Sequence, residues 1–209
     1  MKYNKSTIDH IIFDLGEVIV DLDGKAVITE FDRLTNGKTR ELKELMIGSD
    51  FFFQYETGVI NEEHFVDSFN HTFGTDLTHE VFKHTWNMMI KAIPARRIDF
   101  IKELMNDFQV LVLSNTNSMH EDKFEAMMTE QFGVTMSSLV HHAYYSHDIH
   151  LRKPDEEIYN YVILDQNIDP KRTLFLDDKL ENIEAARRVG LHAEKVEFPD
   201  QIFEIISHG

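Results

Sequence analysis

The chain of 209 residues contains no cysteine. That excludes disulfides, thiolate metal sites and thiol nucleophiles together, and it fits a reducing compartment. Positive charge is also scarce: 21 Lys and Arg stand against 37 Asp and Glu, a formal net charge of −16. In such a chain a surface that neutralises a phosphate backbone would have to be local, so nucleic acid is discounted as a partner. No apolar run approaches the roughly 20 residues of a membrane-spanning helix. The polar opening MKYNKSTIDH leads into only a short apolar run, which does not suit a signal sequence. The expectation is a soluble cytoplasmic protein with no membrane partner. Nothing in the sequence sets an oligomeric state, and a monomer satisfies it. Internal repeats and low-complexity tracts are lacking too. The length suits one domain, or a core domain with a smaller insertion.

What is present is an alternation of short β-rich runs with longer amphipathic segments. The runs His10 to Phe13, Gln109 to Leu113, His142 to Tyr145, Thr173 to Leu176 and His192 to Val196 read as strands. Ala95 to Asp107, Ser118 to Glu130, Asp155 to Asp165 and Leu180 to Val189 carry apolar residues at helical spacing. This βαβ rhythm predicts a Rossmann-like, three-layer α/β/α fold around a parallel sheet. One interval breaks it. From about Lys25 to Ile90 the pattern is helical only, with turn signals at Asn36-Gly37, Gly48-Ser49, Gly58 and Gly74-Thr75. Asn61 followed by Glu62 and Glu63 reads as a helix N-cap with acidic first-turn residues. The expected organisation is a core of residues 1–22 and 91–209, with a small helical insertion over 23–90 after the first strand.

Ligands of open α/β sheets sit beyond the carboxyl ends of the strands. The residues immediately after four strands are Asp14 to Gly16, Ser114-Asn115, Ser146 to Lys153, and Asp177-Asp178. Carboxylates, a hydroxyl, an amide and a lysine brought together there suit a metal ion and a phosphate. Any one carboxylate after a strand is as readily a turn or helix-capping residue, and the weight rests on the four together.

FDLGEVIVD at Phe13 to Asp21, VLSNT at Val112 to Thr116, RKPDEEIY at Arg152 to Tyr159 and FLDDKLENIEAARRVG at Phe175 to Gly190 are the motifs in question. In that order they resemble the phosphatase branch of the haloacid dehalogenase-like (HAD) superfamily over the whole chain, the helical insertion matching that family's small cap. Within it, DLG followed by SNT and RKP is similar to the α-D-glucose-1-phosphate phosphatase-like group. The resemblance implies a magnesium-dependent phosphatase acting on a small phosphorylated metabolite, such as a hexose 1-phosphate, through an aspartyl phosphate on Asp14. It implies Mg2+ ligands from Asp14, the Gly16 backbone carbonyl and Asp177, with Asp178 a further ligand through water or an anchor behind them. Ser114 and Asn115 would bind phosphate, Lys153 would supply a catalytic positive charge, and Asn182 would orient the site. Similar proteins carry a Tyr/His-Glu-x-Gly stretch facing the site, which makes Glu56 a substrate-contact candidate, whereas packing accounts for most of Phe51 to Phe53.

A literal DxDG occurs at Asp21, but Asp14 is the better nucleophile. If Asp21 ended the first strand, Ile11 to Phe13 would have no place in the sheet. With Asp14 at the strand end, Gly16 supplies the turn, Val18 to Val20 make a short excursion toward the insertion, and Asp21 opens the linker. The family's usual acid two residues after the nucleophile is then replaced by Gly16. A positioned acid contributes roughly 10²–10⁴-fold, so its loss costs about 3 to 5 kcal/mol of barrier for an alkoxide leaving group. Hemiacetal, aryl or acyl phosphates are the substrates least affected, and Glu17 is the adjacent stand-in. The alternatives are a metal-free 2-haloacid dehalogenase, against which the Asp177-Asp178 pair argues, and a phosphate-binding regulatory module. His141, His142, His147 and His150 cluster in sequence, but His141 and His142 on a strand face opposite sides and do not share an ion.

Overall fold

The computed structural model describes residues 3–38 and 49–206, so Gly48 of one turn signal lies outside the described residues. The strands are β1 (His10–Phe13), β2 (Asp21–Leu22), β3 (Ile90–Ala92), β4 (Gln109–Ser114), β5 (His142–Tyr145), β6 (Thr173–Asp177) and β7 (His192–Lys195). Five of them form one all-parallel sheet in the order β5-β4-β1-β6-β7. Helices α1 (Gly24–Leu34), α2 (Asp50–Glu56), α3 (Glu62–Phe73) and α4 (His79–Trp86) lie between β2 and β3. They are followed by α5 (Ala95–Leu104), α6 (Ser118–Phe132), α7 (Met136–Leu139), α8 (Ser146–Ile149), α9 (Glu156–Gln166), α10 (Leu180–Arg188) and α11 (Ile202–Ile205).

Successive strand side chains alternate between faces, and here both faces are apolar. Ile11, Phe13, Val110, Val112, Leu174 and Leu176 pack with Ile98, Ile101 and Leu104 of α5, Phe124 and Met128 of α6, and Ile202 of α11. Ile12, Leu111, Leu113 and Phe175 pack instead with Ile158, Tyr159 and Val162 of α9 and Ile183 and Ala186 of α10. The three-layer α/β/α expectation holds. Because β1 has β4 on one side and β6 on the other, the chain direction of the sheet order reverses beside it. The carboxyl ends of these three strands therefore open onto one crevice.

Helices α1 to α4 gather a separate apolar cluster around Phe31, Tyr55, Phe65, Phe69, Phe82 and Trp86, joined by Met119 of α6. Tyr55 and Phe65 stack with ring centroids 4.2 Å apart. Asn61 caps α3 as expected, its side chain accepting from the His64 N–H at 2.9 Å. The interval Lys25 to Ile90 is not purely helical, however. Ile90 opens β3, which pairs antiparallel with β2 through Asp21 opposite Ala92 and Leu22 opposite Ile90. Strands of two and three residues are too short to show an alternation, which is why the pattern hides them. Val18 to Val20 also depart from the expected excursion: all three are buried in the core cluster beneath α5. Asp21 opens the ribbon and pairs with the buried Arg97 at 2.6 Å.

Candidate active site at the carboxyl edge of the sheet

Asp14 directly follows β1. Its N–H donates to the Leu176 carbonyl at 2.8 Å, which extends the ladder by one residue and fixes the carboxylate over the sheet edge. Oδ1 accepts from the Leu15 N–H at 2.7 Å and lies 2.8 Å from Lys153 Nζ. The Lys153 ammonium also donates to Asp177 Oδ2 at 2.7 Å and to the Leu113 carbonyl at 2.8 Å. All three of its donors are thus engaged. Asp177 ends β6, is fully buried, and accepts from the Lys179 N–H at 2.8 Å and from Asn182 Nδ2 at 2.9 Å. Asp178 is half-buried beside it.

Carboxylate oxygens of Asp14, Asp177 and Asp178 lie within 4.8 Å of one another. Burial, with the nearby Asp177 charge, pushes the Asp14 carboxyl up to about 6 against the opposing pull of Lys153. Burial and Asp177 also raise Asp178. Burial would lower the Lys153 ammonium, but Asp14 and Asp177 outweigh it and keep the lysine charged. Three carboxylates facing one ammonium leave an excess of negative charge at close range. Hard oxygen donors so arranged fit a small divalent cation such as magnesium.

A cavity of about 90 Å³ runs between these groups and Gly16, Glu17, Ser114 and Asn115. Asn115 spends its side chain on Lys153: Oδ1 accepts from the Lys153 N–H and Nδ2 donates to the Lys153 carbonyl, both at 2.8 Å. That clamp locks the lysine's backbone, a role spacing does not reveal. Glu17 holds a left-handed backbone, φ 55°, and its carboxylate accepts from the Leu22 N–H at 2.9 Å. Leu22 was not anticipated at the site. A Cβ on Gly16 would lie 2.8 Å from Leu22 Cδ1, so this leucine occupies the space a side chain at position 16 would take. A second cavity, about 60 Å³, continues from Gly16 and Leu22 to Ile90, Phe124 and His120. His120 is buried and pushed down to about 4 by that burial, so it is neutral; its ring nitrogens bond Asn117 and the Trp86 carbonyl.

Glu56 does not join this cluster. Its carboxylate takes the Arg152 guanidinium at 2.9 Å, and that guanidinium lies 4.4 Å from the Phe53 ring centroid. Phe51 and Phe52 pack against the helical cluster, as packing predicts. The histidines do not converge either. His141 accepts from the Val110 N–H at 3.1 Å, His142 is exposed, and His150 Nδ1 meets the Thr57 carbonyl at 2.8 Å. His147 Nε2 pairs with Glu121 at 2.8 Å.

The chain matches haloacid dehalogenase-like hydrolases over residues 8–190. It is 29% identical over 185 residues to a D-ribitol-5-phosphate phosphatase of Bacteroides thetaiotaomicron, covering 88% of this chain and 89% of that one. A HAD-family enzyme of the same organism, crystallised with magnesium and inorganic phosphate, superimposes with a TM-score of 0.83 at 27% identity, covering 90% of this chain and 93% of that one. A HAD-like hydrolase of Porphyromonas gingivalis gives 0.83 at 28% identity, covering 90% and 91%.

Proposed function

The chain belongs to the haloacid dehalogenase-like hydrolase family, and from that footing we propose that it is a magnesium-dependent phosphatase of a small phosphorylated metabolite, with Asp14 as nucleophile. The observation that carries this is the convergence of Asp14, Asp177 and Asp178 around a buried, charged Lys153 at the sheet edge. The names of the relatives support it: one acts on a sugar-alcohol phosphate, and another binds magnesium and phosphate. The substrate we assign is of the sugar-phosphate class, hexose 1-phosphates and sugar-alcohol phosphates included.

In this reading an Asp14 carboxylate oxygen attacks phosphorus, the bond to the leaving oxygen breaks, and the electron pair departs with that oxygen. An aspartyl phosphate forms, which water then hydrolyses to return the carboxylate. Lys153, with its donors committed, acts as a fixed charge that orients Asp14 and offsets the incoming negative charge. The Ser114 hydroxyl and the Asn115 N–H are the donors for phosphate oxygens. Asp14, the Gly16 carbonyl, Asp177 and Asp178 would hold Mg2+, which supplies charge neutralisation between the phosphate and the carboxylate nucleophile when bound. Asn182 holds Asp177 in place. We take residues 23–90 as the cap that closes the site from the side opposite the sheet.

The test is phosphate release from a panel containing ribitol 5-phosphate, hexose 1-phosphates and an aryl phosphate, with and without Mg2+. Magnesium-dependent release that disappears in Asp14→Asn is the expected result. Absence of release from every member of the panel, or halide release from a 2-haloacid without magnesium, would overturn the assignment.

A further inference from the structure

The strand-end segment that presents Lys153 is also held directly by the helical insertion. Arg152, its immediate neighbour, has its guanidinium between the Glu56 carboxylate, 2.9 Å from both Nε and Nη2, and the face of Phe53. The pair is largely withdrawn from water, with side-chain exposures of 28% and 13%, so screening weakens it less than it would a surface pair. Three further contacts join the same two stretches. The buried Ser146 hydroxyl donates to the Glu56 carbonyl at 2.6 Å while accepting from the Thr116 N–H at 3.0 Å. His150 Nδ1 bonds the Thr57 carbonyl. Gly58, φ +67°, approaches so closely that a Cβ there would lie 2.0 Å from the His147 carbonyl oxygen.

The grip extends to the other phosphate-facing loop. The Tyr55 hydroxyl accepts from the Met119 N–H at 3.2 Å and meets Ser118 Oγ at 3.1 Å, which satisfies a donor in the first turn of α6 just beyond Ser114 to Asn117. A swing of the insertion away from the core would break all of these polar contacts together, several of them buried.

We propose that Arg152 is a positioning residue: held by Glu56 and Phe53, it clasps the helical insertion to the segment carrying Lys153 and keeps that segment in register whenever the insertion is seated against the core. This rests on the reading of Asp14 and Lys153 as the reacting pair. It also reassigns Glu56 from substrate contact to anchor. With Arg152 displaced, the Asn115 clamp alone holds the Lys153 backbone, and the alignment of the ammonium between Asp14 and Asp177 loosens.

The cysteine-free chain allows a clean test. Nitroxide labels at Val59→Cys on the insertion and Leu164→Cys on α9, both well exposed in the parent, report the insertion-to-core distance by pulsed electron–electron resonance. The expected result is a narrow distribution with Mg2+ and inorganic phosphate present, which broadens in Arg152→Gln and in Glu56→Gln. In the unlabelled variants kcat falls roughly 10- to 100-fold, KM changes less than kcat, and the double variant is no worse than either single one. Asp9→Asn, which breaks the remote Asp9–Arg172 pair, leaves the distance and kcat unchanged. A parental distribution that is broad with phosphate present overturns the clasp. Variants that keep the parental distance overturn the role of Arg152, and broadening without a fall in kcat overturns the link to Lys153. If no form releases phosphate, the phosphatase reading fails and the distance data alone decide this one.

Discussion

Gly16 and Leu22 contend for one space beside Asp14, the proposed nucleophile. With no side chain at position 16, the leucine lies over the glycine and faces both cavities. A proton donor is thereby absent from the smaller cavity, whose one titratable lining residue, His120, is neutral with both ring nitrogens bonded. The obstacle is the far end of a flexible side chain, so Gly16→Asp folds once Leu22 changes rotamer. Its carboxyl then supplies the missing acid. The expected outcome is a rise of about tenfold or more in kcat/KM for alkyl phosphates, against a benefit limited to roughly 10²–10⁴-fold for a positioned acid. Aryl phosphates, whose leaving oxygens need no proton, gain little. The check is the slope of log kcat/KM against leaving-group pKa, which flattens in the variant; an unchanged slope refutes the account. At this scale the sequence is most legible where chemistry is local. Asp14 directly follows β1 while Ser114 and Asp177 end β4 and β6, so strand position locates them; Lys153 lies past α8 and is located by its Lys-Pro motif instead. Leu22 over Gly16 and Arg152 on Glu56 depend on how loops and helices fold back, and no short spacing encodes either contact.

At the scale of elements, the main-sheet strands and their covering helices fall within a few residues of the boundaries that periodicity predicts, because each buries a full face with its own period. The β2–β3 ribbon escapes that reading: its partners are too short and are separated by the whole helical insertion. The loop Leu15 to Val20 escapes it for a different reason. Its apolar residues serve the sheet's own core while its backbone turns through the left-handed Glu17. The junction of α2 with α8 is similarly invisible in sequence, where Gly58 reads only as a turn. Structure gives that glycine two constraints, a positive φ and the backbone approach to His147. Gly74 has the first constraint alone: its φ is +59° and, among the described residues, nothing lies within 4 Å of its Cβ position. Gly74→Ala is therefore expected to cost about 1 kcal/mol, the conformational penalty. Gly58→Ala adds steric displacement and costs about 3 kcal/mol in all. Thermal unfolding separates them, since about 3 kcal/mol corresponds to roughly 6–12 °C in a chain of this size. Equal shifts for the two variants would show that the α2–α8 contact yields freely.

The whole molecule carries a formal charge of −16, yet it concentrates three carboxylates at one buried point of its central sheet. Two effects of magnesium must therefore be told apart. General attraction of a divalent cation to an acidic surface decays over about 8 Å at physiological ionic strength and is screened by salt. Binding among Asp14, Asp177 and Asp178, as proposed, would be local, would relieve repulsion that Lys153 only partly offsets, and would occur in the folded chain alone. By linkage, magnesium at 100 times its dissociation constant stabilises the fold by about 2.7 kcal/mol. For a chain of this length that raises Tm by roughly 5–10 °C, and chelation reverses it. The rise is expected to persist in about 0.15 M salt, where the diffuse contribution is screened. In Asp178→Asn, compared with its own metal-free baseline, the rise shrinks, because one half-buried ligand oxygen has lost its charge while the rest of the surface is nearly unaltered. A rise that vanishes in salt, or that survives undiminished in Asp178→Asn, would place magnesium on the acidic surface and leave the buried cluster to Lys153 alone.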